Sequence, residues 1–187
     1  QQTKNTGPDP RKFKKKVVSF ISIGGSDWNT RISCDMNLAA MTSMWKVIDD
    51  EVFSWAKSII IQDENVAKCR QIGSNIAKAA ADTETAKFLG DPGICPCCHS
   101  RNFFIHKDSS AECEVCGIIG KFIFENGEVR FEFPEEMWQH AHTRVPGKMK
   151  HMDDIYRNET QLVEDKKTPK FKERVQKYKE YIQASKP

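Results

Sequence analysis

Four cysteines, spaced Cys95-x-x-Cys98 and Cys113-x-x-Cys116 with fourteen residues between the pairs, constrain this chain more than any other feature. Each pair closes a tight turn that aims two sulfurs at one point. Two such turns make a tetrahedral four-thiolate site, the geometry preferred by Zn²⁺ and also usable by a single iron. A four-cysteine zinc site has no open position, so the reading is structural zinc. A single electron-transferring iron is the alternative, because it takes the same ligands; a catalytic dithiol or a nucleic-acid-binding ribbon shares the pattern. Cys97 lies between the ligands of the first turn, but the matching x-x spacing of the second turn favours Cys95 with Cys98. His99 and His106 are close enough in sequence to serve as a fourth ligand, and four cysteines make them unnecessary. Cys34 and Cys69 stand alone and read as buried apolar side chains.

The chain has seven cysteines. An odd count with four in metal spacing points to a reducing, cytoplasmic compartment rather than a disulfide framework. No apolar run approaches the roughly 20 residues of a membrane span, so no membrane partner is expected. A net charge of +3 is too small to argue for nucleic acid. The densest basic run, Arg11 to Lys16, precedes an apolar segment and reads as the solvated start of a strand. Around the cysteines, basic residues are balanced by Glu112, Glu114, Glu125, Glu128 and Glu132, which also argues against a nucleic-acid surface.

Along the chain, Gln1 to Pro10 reads as a polar linker. Val17 to Ile23 is a short β-branched run that suits a strand buried on both faces of a parallel sheet. Thr30 to Ser43 has helical spacing, Trp45 to Val52 reads as a second strand, and Ser58 to Ile61 is a short apolar piece. Asp63 is placed to cap a helix running to about Asp82, with Val66, Cys69, Ile72, Ile76 and Ala80 on one face. Strand, glycine loop, helix, strand, helix is the rhythm of a doubly wound α/β fold. After a Gly/Pro-containing linker from Phe88 to Gly93, the segments Asn102–His106, Lys121–Phe124 and Val129–Phe133 suggest a three-stranded ribbon, with Asn126-Gly127 as the hairpin turn. Beyond Pro134 the chain becomes helical and charged. Thr168-Pro169 opens a last helix with the stripe Phe171, Val175, Tyr178 and Ile182. These readings divide the chain into residues 1–90, 91–134 and 135–187.

Gly24-Gly25-Ser26 follows the first strand at its carboxyl end, the edge where open α/β sheets bind ligands. Paired glycines allow close backbone approach and offer N–H donors. Trp28 is near enough to stack on a planar ring. A strand-to-helix turn of this composition also occurs without any ligand.

Three segments taken in order carry a resemblance. Val17 to Ser26, Trp45 to Asp49, and Asp91-Pro92-Gly93-Ile94-Cys95-Pro96-Cys97-Cys98-His99-Ser100 together look like the later part of the flavodoxin-like NADPH-dependent FMN reductases. The subgroup resembled carries a zinc-ribbon-like segment after the flavodoxin core. The stretch with Gly147-Lys148 and His151 is also similar, so the likeness runs from about Gly7 to Ile155. It implies a fold class of α/β with a partial flavodoxin-like parallel sheet, followed by a small zinc ribbon and C-terminal helices. It implies FMN as cofactor and NAD(P)H or a protein redox partner as electron donor or acceptor. The loop after the family's fourth strand lies against the flavin ring, which implicates Gly24, Gly25 and Ser26, with Asp27 and Trp28 as weaker neighbours. The resemblance offers no acid, base or nucleophile.

The family's first strand, its Ser/Thr-rich phosphate loop and its third-strand loop have no counterpart in these residues. A two-strand remnant of a five-strand sheet should leave apolar surface uncovered. The chain also begins at Gln1 rather than Met. The expectation is a fragment of a longer polypeptide, or a subunit whose sheet is completed by a partner in an oligomer; a degenerate relative that has lost the cofactor is the third possibility. The functional expectation is a redox domain or subunit. The alternative is a non-catalytic assembly module with a vestigial flavin site.

Overall fold

The computed structural model describes Arg11 and residues 15–185. The linker Gln1 to Pro10 and the central part of the basic run, Lys12 to Lys14, lie outside the described residues. The chain divides into two compact units, 1–148 and 149–187.

In the first unit, strand β1 (Lys16–Ile23) leads through helix α1 (Ile32–Thr42) to strand β2 (Trp45–Phe53), which pairs parallel with β1. A short 3-10 turn, Ile59–Ile61, precedes helix α2 (Asp63–Ala81). Two consecutive acids in β2 show how the helices are arranged. Successive strand residues point to opposite faces. Asp49 accepts a hydrogen bond from Asn75 Nδ2 of α2 at 2.7 Å, and Asp50 accepts one from Asn37 Nδ2 of α1 at 2.5 Å. The two helices therefore cover opposite faces, each anchored by an amide to its own carboxylate. Asp49 is only 2% exposed, so its pairing is required rather than decorative.

The register slips between Val18 and Ser19, which leaves Ile48 of β2 as the extra residue of a bulge. The chain returns there after α2: Leu89 N–H donates to Ile48 O at 2.7 Å, and Lys46 Nζ binds the carbonyls of Thr83, Glu84 and Ala86.

Several expectations change in detail. The strand Val17–Ile23 is not covered on both faces, because Ile21 and Ile23 remain about half exposed. These residues are apolar surface of the kind expected on a two-strand sheet. Asp63 does not cap α2; the capping position is Gln62, and no side chain caps it. Asp63 sits instead in the first turn, where a negative charge suits the helix dipole. On the buried face of α2, Ala79 rather than Ala80 faces the core, alongside Ile72. The apolar piece at Ser58–Ile61 is the exposed 3-10 turn, with Ile60 and Ile61 in solvent.

The cysteine-containing segment forms an antiparallel sheet of four strands in sequence order: β3 (Phe103–Ile105), β4 (Ser110–Cys113), β5 (Ile119–Glu125) and β6 (Glu128–Glu132). The three expected strands are present, and β4 is added between the first two. Its sequence, Ser-Ala-Glu-Cys, lacks the β-branched and aromatic residues that mark a strand. It is held by pairing on both edges. Asn126 and Gly127, both with positive φ, make the two-residue hairpin turn. Phe103, Phe122 and Phe131 meet on one face, with ring centroids 4.6 Å apart for Phe103–Phe131 and 5.5 Å for Phe122–Phe131.

Helix α1 does not stop at the parallel sheet. Cys34, Leu38 and Met41 pack into the same apolar cluster as the four cysteines, with Val115, Ile118 and Ala141. A 3-10 turn (Glu135–His140) then leads to helix α3 (Val145–Asp165). Helix α4 (Pro169–Ala184) follows, with Pro169 in its first turn and Thr168 Oγ1 accepting from Phe171 N–H at 3.2 Å, as the sequence indicates. The second unit is made of the larger part of α3, the turn 166–168 and α4.

Candidate functional site

The four sulfurs of Cys95, Cys98, Cys113 and Cys116 lie within 4.8 Å of one another. The Cys95–Cys116 and Cys98–Cys113 pairs are each 3.5 Å apart. Tetrahedral ligands about 2.3 Å from a zinc ion stand about 3.8 Å from each other, so the cluster has the right size for one ion. All four are buried, at 0 to 8% exposure.

The two turns repeat one backbone pattern. Cys95 N–H donates to Ser100 O at 3.0 Å and His99 N–H to Cys95 O at 2.9 Å. In the second turn, Cys113 N–H donates to Ile118 O and Gly117 N–H to Cys113 O, both at 2.9 Å. The fourth residue after each leading cysteine is left-handed: Gly117 at φ 73° and His99 at φ 62°. Glycine adopts that conformation freely, whereas histidine is uncommon there. His99 is held by stacking on Phe88, with ring centroids 4.0 Å apart and planes 10° from parallel. Sequence reading weighed His99 as a ligand; its ring instead buttresses the turn, and burial lowers its pKa.

Four packed thiols divide their protons unequally. Hydrogen bonds from Cys116, then Cys95 and Cys98, hold Cys113 far towards the thiolate. Sharing with Cys113 first, then with Cys116 and Cys95, keeps Cys98 protonated. A cation would resolve this competition by taking four thiolates, and the donor set suits zinc or iron. Cys97 stands outside the cluster, with Sγ 4.0 Å from Trp138 O, and burial pushes its pKa up to about 11. His106 also stays apart, 3.4 Å from Glu112. Cys34 is 1% exposed, beside Glu114, and burial raises its pKa.

The loop Gly24 to Trp28 occupies the carboxyl end of β1. Gly24 is buried: its N–H donates to Phe53 O at 2.8 Å and its carbonyl accepts from Ala56 N–H at 3.4 Å. A Cβ on Gly24 would meet Asn29 Nδ2 at 2.6 Å. Its glycine requirement therefore comes from packing, and its N–H is not available to a ligand, contrary to the expectation that both glycines offer donors. Gly25 and Ser26 keep theirs: among the described residues, neither N–H has a hydrogen-bond partner. Asn29, which sequence reading passed over, fixes the loop by donating to Ser26 O at 3.2 Å and Ser54 Oγ at 2.7 Å. Ser26 Oγ accepts from Trp28 N–H at 3.2 Å. Asp27 is exposed, and the Trp28 ring is 93% exposed. A free pair of N–H donors beside an uncovered indole fits the edge and face of a planar, acceptor-rich ring such as a flavin.

Between this region and the first cysteine turn lies a cleft of about 350 Å³, lined by Asn29, Ser33, Asp50, His99 and Arg101 among others. Burial raises the pKa of Asp50 against the opposing pull of hydrogen bonds from Ser33 and Asn37. Its Oδ1 is buried without a partner.

No family model matches the chain. A solved structure described as a flavone reductase superimposes with a TM-score of 0.88 at 49% identity, covering 97% of this chain and 63% of that one. Flavone synthase cfoJ of Aspergillus candidus is 28% identical over 157 residues, which is 79% of this chain and 48% of that protein. The fold is accordingly mixed α/β, a parallel sheet with helices of the flavodoxin-like reductase kind. The chain spans less than two thirds of the length of either relative.

No helix among the described residues is long and apolar enough to cross a membrane.

Proposed function

We propose that this chain is part of a flavin-dependent oxidoreductase acting on a flavone-type polyphenol, with NAD(P)H or a redox protein as the electron source. The observation that carries this reading is the 49% identity to a flavone reductase across 97% of the chain, with a shared fold. A relative named for making a flavone and one named for reducing a flavone stand on opposite sides of the same redox chemistry.

FMN, when bound, would supply the hydride and electron chemistry; the protein would supply position and electrostatics. In this chain the residues to hold it are Gly25 and Ser26 through their N–H groups, and Trp28 through its ring. Gly24 and Asn29 shape the loop, and Asp27 adds charge at its rim. The chain's own share of the site is thus one side of a planar ring.

Cys95, Cys98, Cys113 and Cys116 would bind one structural zinc, as the closed and buried ligand set favours. Iron is separable from zinc by elemental analysis.

The test is the visible spectrum of the purified protein with any natural partner retained. Oxidised-flavin absorbance that bleaches anaerobically with NAD(P)H and returns on adding a flavone supports the reading. A colourless protein that neither binds added FMN nor consumes flavone leaves the assembly-module reading in its place.

A further inference from the structure

Two clefts share the stacked pair Phe88 and His99 as a wall, and they carry opposite charge. The cleft beside the Gly24–Trp28 loop is lined by Asp50, Glu51 and Asp91; its Arg101 is already paired with Asp91 at 2.7 Å. The other cleft, of about 360 Å³, is lined by Lys15, Lys16, Lys46 and Arg144, and among the described residues no carboxylate lines it. Glu84 pairs with the exposed Lys15, and Asp82 lies within electrostatic reach of Lys46 and Lys15, but both acids stand outside the wall.

The cations are positioned without being neutralised. Lys46 Nζ donates to the carbonyls of Thr83 at 3.2 Å, Glu84 at 3.5 Å and Ala86 at 2.8 Å, which fixes the ammonium and leaves its charge. Lys16 Nζ donates to Arg11 O at 3.0 Å, and the Arg144 guanidinium stands 5.9 Å from the centre of the Trp138 ring. Among the described residues, none of these three has a carboxylate in an ion pair.

The same wall carries Met41, Met44, Trp45, Val47 and Phe88. Met44 follows α1 at φ 57°. Glycine is the usual residue at such a left-handed helix end, because it has no Cβ to strain. This chain keeps a side chain there, and it lines the cleft. A volume of this size, with apolar walls and a few charged groups, is the ordinary makeup of a small-molecule site. The ring of such a ligand would lie against Trp45, which is 42% exposed, and its oxyanion would take charge-assisted hydrogen bonds from the cations.

We propose that this cleft binds a planar aromatic anion, a ring bearing a carboxylate or phenolate, at a site separate from the Gly24–Trp28 loop. Its residues lie at the amino ends of β1 and β2, opposite the edge where open α/β sheets hold their ligands. The eight residues of β1 put about 23 Å between the two ends. None of residues 24–28 lines the cleft.

Calorimetric titration of the full chain with 2-naphthoate and with uncharged 2-naphthamide, which has the same ring, tests this. Naphthoate should bind more tightly, and its advantage should shrink as salt is raised. Arg144→Gln with Lys16→Gln should weaken naphthoate by about threefold to tenfold, the loss of two exposed charge pairs, and leave naphthamide unchanged. Met44→Gly suits the local backbone, so the fold should hold, and it should weaken both ligands by a similar factor. Trp28→Ala should leave both affinities as they are. Equal affinity for the two ligands, or no naphthoate binding at millimolar concentration, overturns the proposal. Naphthoate affinity unmoved by Arg144→Gln/Lys16→Gln and by Met44→Gly also overturns it, as does a loss in Trp28→Ala, which would place the anion at the glycine loop. None of these readouts depends on flavin or flavone.

Discussion

The four-cysteine centre and the Gly24–Trp28 loop are both turns that follow or bracket strands, yet they are finished to different degrees. The cysteine centre is closed. Its four sulfurs, its two left-handed residues and its returning hydrogen bonds all come from Cys95 to Ile118, and its ligands are at most 8% exposed. The loop is open. Its backbone is fixed from below by Asn29 and Phe53, while Gly25, Asp27 and Trp28 face solvent and two N–H groups are unused. A four-thiol cluster of this kind is completed by local sequence. A loop that turns free N–H groups to solvent is completed only by what meets its open side. The contrast predicts that damage to the first spreads into the fold, whereas damage to the second stays confined to binding.

The largest effect should come from Cys113→Ser. It removes one thiolate from the proposed zinc site, and a structural zinc contributes on the order of 10 kcal/mol in small zinc modules. Because Cys34, Leu38 and Met41 of α1 share the cysteine core, the loss should spread beyond the cysteine segment into α1. Elemental analysis should show metal loss, and hydrogen exchange should rise in both regions. Protection of α1 equal to that of the parent chain would break the comparison, by showing that the centre is closed energetically as well as geometrically.

A smaller effect tests the sheet between the two regions. Asn75→Ala leaves the buried Asp49 carboxylate without its amide and should cost about 1–3 kcal/mol, read from chemical denaturation. Asp50 should behave in the opposite way. Burial raises its pKa in the folded state, so the native protein holds this proton more tightly than the unfolded chain. Its contribution is then present below the ordinary aspartate value of about 3.9 and is lost as pH rises through the folded value. Asp50→Asn should flatten that part of the stability–pH profile and leave neutral-pH stability equal or higher. A profile unchanged by the substitution would show that Asp50 is ionised without penalty in the fold.

How much of this was legible in sequence follows the same division. The x-x spacing of the cysteine pairs, Asn126-Gly127 and Thr168-Pro169 announced their structures because each is a local solution: two tight turns that converge four sulfurs, positive φ, and a capped first turn. The parallel pair was legible from Val17–Ile23 and Trp45–Val52, and so was uncovered apolar surface on a two-strand remnant, but not which residues carry it, since an exposed Ile21 or Ile23 looks the same in sequence as a buried one. β4 was missed because Ser110-Ala111-Glu112-Cys113 is held by its neighbours rather than by propensity. His99 was weighed as a ligand because a histidine beside cysteines suggests coordination; nothing in the sequence shows that its backbone must be left-handed or that Phe88 lies beneath its ring. Asn29, Asn37 and Asn75 were passed over because their partners are 13 to 26 residues away in sequence. The signal available for two of them was the pair Asp49-Asp50: adjacent carboxylates in an otherwise apolar strand demand a partner on each face.

The smallest effect on the fold, and the most selective, should follow Trp28→Ala. With the ring 93% exposed, its removal takes away almost no buried surface, and thermal stability should stay within about 0.5 kcal/mol of the parent. If the indole stacks on a flavin, the same change should weaken FMN binding by roughly tenfold, the loss expected for one aromatic stack of about 1–1.5 kcal/mol. Trp28→Phe should recover part of the affinity, because a smaller ring still presents a π-face. The pair of measurements separates the two roles that a solvent-facing tryptophan can have. Unchanged FMN affinity in both variants, measured by fluorescence titration, would mean that the loop's free N–H groups act without the ring, and that Trp28 belongs to a protein contact at the open end of the sheet. A large loss of stability would mean that the loop is as closed as the cysteine centre, and the distinction between the two regions would fail.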